Sequence, residues 1–88
     1  MSKYKNTGEV LRGLREELDL TQIDLAHRCK CHSQFVSNWE RGLCLPPSLE
    51  MSRMLNALPA RRVTEFIKML TDAYADDMRI VLTHRMGW

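Results

Sequence analysis

No stretch of this 88-residue chain is long and apolar enough to span a bilayer, and the N-terminus lacks the hydrophobic run of a signal peptide. The expected location is therefore the cytoplasm. The chain has no internal repeats, no low-complexity tract and no strand-like alternation of apolar and polar residues, so no sheet is expected. It has no strong charge of either sign: the net charge is +2, spread over the whole sequence. Any affinity for a polyanion must come from where individual cations sit. It has no phosphate-binding glycine loop, and no nucleophile and base at a recognisable spacing, so an enzyme is not expected. The three cysteines are too few and too close for a metal finger. Cys29-Lys-Cys31, flanked by His27 and His32, has C-x-C spacing, and no second ligand pair follows at finger distance. No metal and no cofactor are expected, and an odd number of thiols in a cytosolic protein favours reduced, structural cysteines.

What the chain does have is 44% hydrophobic residues, placed at helical spacing. After a polar, basic arm over residues 1–6, a cap at Asn6 or Thr7 opens a first helix running to about Leu18, with Val10, Leu11, Leu14 and Leu18 on one face. Asp19 is a suitable left-handed stop. Thr21 can cap a second helix whose apolar positions are Ile23, Leu25, Ala26 and Cys29. A third begins near Ser33, turns Val36 and Trp39 inward and ends at Gly42. Ser48 to Leu58 forms a fourth, with Leu49, Met51, Met54, Leu55 and Leu58 apolar. Beyond Pro59, Val63, Phe66, Ile67, Leu70, Tyr74, Met78, Val81 and Leu82 keep helical spacing. This stretch is one long helix, or two with a bend between Thr71 and Asp77, where Asp72, Asp76 and Asp77 lie on the polar side. The expected architecture is all-α: a compact bundle of about five helices. It would comprise a basic arm (1–6), a domain with two short helices joined by a tight turn (7–58) and a helical C-terminal extension (59–88).

Residues 8–58 resemble the helix-turn-helix domain of the lambda-repressor-like, or Cro/C1-type (XRE), family. The residues that carry the likeness are Gly8, Leu11-Arg-Gly-Leu-Arg15, Leu20-Thr-Gln22, Leu25-Ala26, Val36-Ser-Asn-Trp-Glu-Arg-Gly42 and Pro47. Three positions depart from the pattern. Lys30 stands where the turn glycine is usual, His32 where a small cap is usual, leaving Ser33 to cap instead, and Trp39 replaces a smaller aliphatic residue. The resemblance implies a cytoplasmic, dimeric, sequence-specific regulator of transcription, a repressor or autoregulator, whose third helix enters the major groove of double-stranded DNA.

With Val36 and Trp39 inward, His32, Ser33, Gln34, Ser37 and Asn38 are left for the bases, and they match the family's base-contacting positions. Gln34 and Asn38, at i and i+4, each carry the donor and acceptor that read adenine. Gln22, Lys30 and Arg41 are expected at the DNA backbone. By resemblance Glu40 pairs with Arg15 as a structural brace. Phe35 is expected to pack, with a thymine methyl at the rim as its alternative partner. The apolar stripe Val63, Phe66, Ile67, Leu70, Tyr74, Met78, Val81 and Leu82 looks longer than a small core needs. It is assigned to a homodimer interface, the alternative being that it folds back onto the first and fourth helices. A rival reading is a protein-interaction module, such as an antitoxin or adaptor. It would grip a protein partner through the C-terminal segment, where Met69, Met78 and Met86 give an adaptable surface.

Overall fold

The computed structural model describes residues 2–85. Five helices follow one another: α1 (Lys5–Glu17), α2 (Gln22–Cys29), α3 (Ser33–Glu40), α4 (Ser48–Asn56) and α5 (Ala60–Arg85). There is no strand among the described residues. Met86, one of the C-terminal methionines named above, lies outside them.

Sequence chemistry sets the helix ends. Thr21 opens α2 with a reciprocal cap: its hydroxyl accepts from Asp24 N–H at 3.1 Å, and the Asp24 carboxylate accepts from Thr21 N–H at 3.0 Å. The stops of α1, α2 and α3 each use one left-handed residue: Asp19 at φ 60°, Lys30 at φ 57° and Gly42 at φ 76°. Only the last is glycine, so the first two hold a conformation that costs a side-chain-bearing residue about 1–2 kcal/mol. Each is held by backbone bonds behind it, as where Leu20 N–H reaches Arg15 C=O and Cys31 N–H reaches Ala26 C=O.

α1 lies at the centre. Its Leu11 joins Leu25, Ala26, Cys29, Val36, Trp39, Met54 and Leu70 in one buried cluster. Its Leu14 packs with Leu58 and Phe66 in a second. Gly8 lets α3 approach α1 closely, because a Cβ there would sit 2.5 Å from Glu40 C=O. α5 runs antiparallel to α1 as a single unbroken helix. At one end Arg62 pairs with Glu17 at 2.6 Å. At the other, Asp77 receives Asn6 N–H at 3.0 Å, Asn6 Nδ2 at 2.9 Å, Thr7 N–H at 2.9 Å and the Thr7 hydroxyl at 2.7 Å. α1 has no side-chain cap of its own at Tyr4, and Asp77 supplies one from across the fold. Beyond Asp77, α5 extends past the start of α1.

Several expectations need correction. α1 begins at Lys5, so Lys5 and Asn6 belong to a helix rather than a free arm, and Tyr4 N–H donates to Gly42 C=O at 3.0 Å. α4 stops at Asn56 rather than Leu58, with Ala57 as its C-cap. Ile23 and Leu49 are exposed, because α2 and α4 are covered on one side only. Asp77 is buried rather than on the polar face of α5. Phe66 and Leu70, assigned to the dimer stripe, are buried in the two core clusters, so the chain's own α1 takes them.

Candidate nucleic-acid interface

α3 is amphipathic in the sense a reading helix requires. Val36 and Trp39 are buried, which fixes its inner face. Gln34 is exposed and Asn38 half-buried on the opposite side, and Gln34 Nε2 donates to Asn38 Oδ1 at 3.0 Å. This bond shows that both amides project from one strip of surface. It leaves each with a free donor and acceptor capacity for a base edge. Ser33 and Ser37 are half-buried on its flanks, and His32 is exposed at its N-terminus. His32 occupies the cap position with no side-chain bond, and Ser33 is the first helical residue, so the expected Ser33 cap is not formed. The N-terminal N–H groups of α3 thus have no side-chain acceptor at the cap.

Phe35 is 50% exposed rather than packed, because it lies one step around α3 from the buried pair. Of its two readings, the rim position is the one the fold adopts.

The orientation of α3 is set by a buried ionic brace. Arg15 Nε donates to Glu40 Oε2 at 2.6 Å and Nη2 to Oε1 at 3.1 Å, while Nη1 donates to Leu20 C=O at 2.9 Å. Only 14% of the Arg15 side chain and 5% of Glu40 is exposed. The hydrogen bond to Glu40 strengthens the hold of Arg15 on its proton. Removing either partner would strand a buried charge, at a cost of about 3–5 kcal/mol. Gln22 adds a third arm, Nε2 donating to Glu40 Oε1 at 3.1 Å. One amide hydrogen of Gln22 is therefore engaged, and the other is available to a phosphate oxygen. The start of α2 also carries Asp24, whose carboxyl lies below its ordinary range through the Thr21 N–H and then the Thr21 hydroxyl. That negative charge works against anion binding by the α2 N-terminus itself.

The cations sit around this helix. Lys30 is the left-handed cap of α2, immediately before the turn, and Arg41 is the C-cap of α3; both are exposed. The bond from Tyr4 to Gly42 brings Lys3 and Lys5, also exposed, next to the chain leaving α3. Gly42 has no room for a side chain there, since a Cβ would meet Tyr4 C at 2.7 Å. Nothing local in the sequence marks the Tyr4 anchor: its partners, Gly42 and the stacked ring of Tyr74 at 6.2 Å, are remote in sequence.

The thiol of Cys29 is buried and its pKa is pushed up to about 11, first by desolvation and then by Cys31 and Glu50 nearby. It donates to Glu50 C=O at 3.7 Å and behaves as a core group. Among the described residues, no three His, Cys, Asp or Glu side chains are grouped to hold a metal ion. No helix among them is long and apolar enough to cross a membrane.

No match was found among curated proteins or among solved structures. A helix-turn-helix family model matches residues 11–66, well over half of the chain, from the middle of α1 through the brace and α3 to Phe66 of α5. The chain belongs to the Cro/C1-type (XRE) helix-turn-helix family of DNA-binding transcription regulators.

Proposed function

We propose that this regulator is a cytoplasmic repressor or autoregulator that binds a two-fold symmetric operator as a homodimer. α3 lies in the major groove. Gln34 and Asn38 read bases there, His32, Ser33 and Ser37 contact bases at the edges, and Gln22, Lys30 and Arg41 hold phosphates. The observation that carries the reading is the Gln34–Asn38 pair, presented on the outer side of a helix whose inner side is locked by Trp39 and the Arg15–Glu40 brace. Amides held on a rigid element lose little further freedom when they meet a base edge, which favours discrimination.

The dimer reading rests on one flank of α5. Thr64, Ile67, Thr71, Tyr74 and Leu82 are exposed, Met78 and Val81 are half-buried, and none of these residues is charged. An uncharged, partly apolar flank suits a self-complementary contact. With Phe66 and Leu70 taken by the core, the interface residues become Ile67, Tyr74, Met78, Val81 and Leu82, with Val63 at its edge. A dimer would set two α3 helices against half-sites about 34–36 Å apart. Selection of bound duplexes from a random library tests the proposal. A palindromic consensus is expected, and a pool without consensus would overturn it.

A further inference from the structure

α1 and α5 leave an open groove of about 590 Å³ between them. α2, α3 and α4 contribute nothing to its lining, so it is separate from the reading helix. It also lies on the other flank of α5 from the uncharged stripe: Met69, Asp72 and Asp76 line it, while Ile67, Tyr74 and Met78 do not. Its floor is apolar, made by Val10, Phe66, Met69 and Ala73. Its walls are acidic. Glu9, Glu17, Glu65, Asp72 and Asp76 stand against Arg62 as the one cation of the lining, in a chain whose net charge is +2. Arg62 is engaged by Glu17 and Glu65 at its own end, whereas Glu9 and Asp72 are exposed and make no ion pair among the described residues.

Gly13 lies in the same groove. It is exposed in the interior of α1, and a Cβ there would meet nothing within 4 Å. The fold itself therefore does not require this glycine, although glycine weakens a helix relative to alanine.

We propose that this groove docks a basic amphipathic helix of a partner protein. The apolar face of that helix lies on Val10, Gly13 and Met69, and its lysines or arginines meet Glu9 and Asp72, since Asp76 is paired with Arg79. An acidic wall repels DNA and selects a cationic partner, and an exposed methionine adapts to varied apolar side chains. The position lets the partner and DNA be held together, which gives the regulator a way to recruit or be recruited without surrendering its operator.

The test uses the isotope-labelled full chain and a synthetic helical peptide of leucine and lysine, about 14–16 residues long, the reach from Arg62 to Asp76 at 1.5 Å per residue. The peptide is expected to shift the resonances of Val10, Gly13 and Met69 and to leave Gln34 and Asn38 unmoved. The double variant Glu9→Lys, Asp72→Lys should weaken it by about tenfold or more. Gly13→Gln, whose Cβ has open space in the fold, should remove binding without altering the circular dichroism. A permuted peptide of equal composition that binds as well, an acidic counterpart that binds, or no groove shift with the leucine–lysine peptide would each overturn the proposal. So would groove resonances that move with protein concentration alone, which would assign the surface to a second copy.

Discussion

Asp77 and Asp76 are adjacent and chemically identical, yet their replacement by alanine should have very different consequences. Asp77 is 2% exposed and accepts four hydrogen bonds at the start of α1. Asp77→Ala leaves the Thr7 N–H and hydroxyl buried without an acceptor, at about 1–3 kcal/mol each. Release of the carboxylate from its own desolvation offsets part of this. The expected net loss is about 3 kcal/mol, or about 12–24 °C in Tm for a domain of this size. Asp76 is exposed and, among the described residues, pairs only with Arg79 at 2.8 Å, so Asp76→Ala should change stability by less than about 0.5 kcal/mol. Asp77→Asn, which keeps one acceptor oxygen, should fall between. Urea and thermal unfolding followed by circular dichroism measure all three. Similar effects for Asp76→Ala and Asp77→Ala, or a loss below about 1 kcal/mol for the latter, would refute the clamp between α5 and α1.

The same carboxylate predicts a pH dependence. Burial, the largest single influence, pushes the Asp77 carboxyl up, but the bonds from Thr7 and Asn6 together outweigh it and leave it below its ordinary 3.8. The folded state then binds fewer protons than the unfolded state, so the stabilisation is complete above about pH 4 and is lost as the pH falls through the lower, folded value. Asp77→Asn should flatten the acid limb of the stability curve, and an unchanged limb would contradict this. Lys30→Gly should stabilise the fold by about 1 kcal/mol by relieving the left-handed lysine, while weakening DNA binding; denaturant titration and gel shift check the two halves. Arg41→Ala should weaken binding to all sequences and lower the log–log salt slope by about one unit. Ile67→Lys, on the uncharged flank of α5, should yield a monomer by light scattering with the fold intact. Truncation after Leu58 is the poorer experiment, because it would also remove Phe66, Leu70 and Asp77 from the core.

Features governed by local chemistry were legible in the sequence. The Thr21 cap, the left-handed Asp19 and the inward Val36 and Trp39 all follow from a few neighbouring residues, whereas the left-handed Lys30 stands where the family pattern places its turn glycine. The Arg15–Glu40 pair followed from the family pattern instead, since the two residues lie far apart in sequence. Features that depend on which face a neighbour covers were not legible. Ile23, Phe35 and Leu49 have the hydrophobicity of core residues, but short helices on the rim of an 88-residue domain are packed on one side only. Asp77 reads as a solvated residue in an acidic run, because its partners are Asn6 and Thr7, some 70 positions away. The apolar stripe on α5 looks like one surface in the sequence, whereas a helix lying along α1 has a buried line and two flanks. Phe66 and Leu70 fall on the line, and Ile67 and Tyr74 on one flank.

The central claim is that the outer face of α3 reads sequence through Gln34 and Asn38. The most direct measurement is the affinity of the wild-type chain and of Asn38→Ala for the selected operator and for random duplex, at one fixed salt concentration. The account predicts a loss of about 1–3 kcal/mol, roughly 5- to 150-fold, on the operator and almost none on random DNA. Equal losses on both, or no loss on the operator, would contradict it.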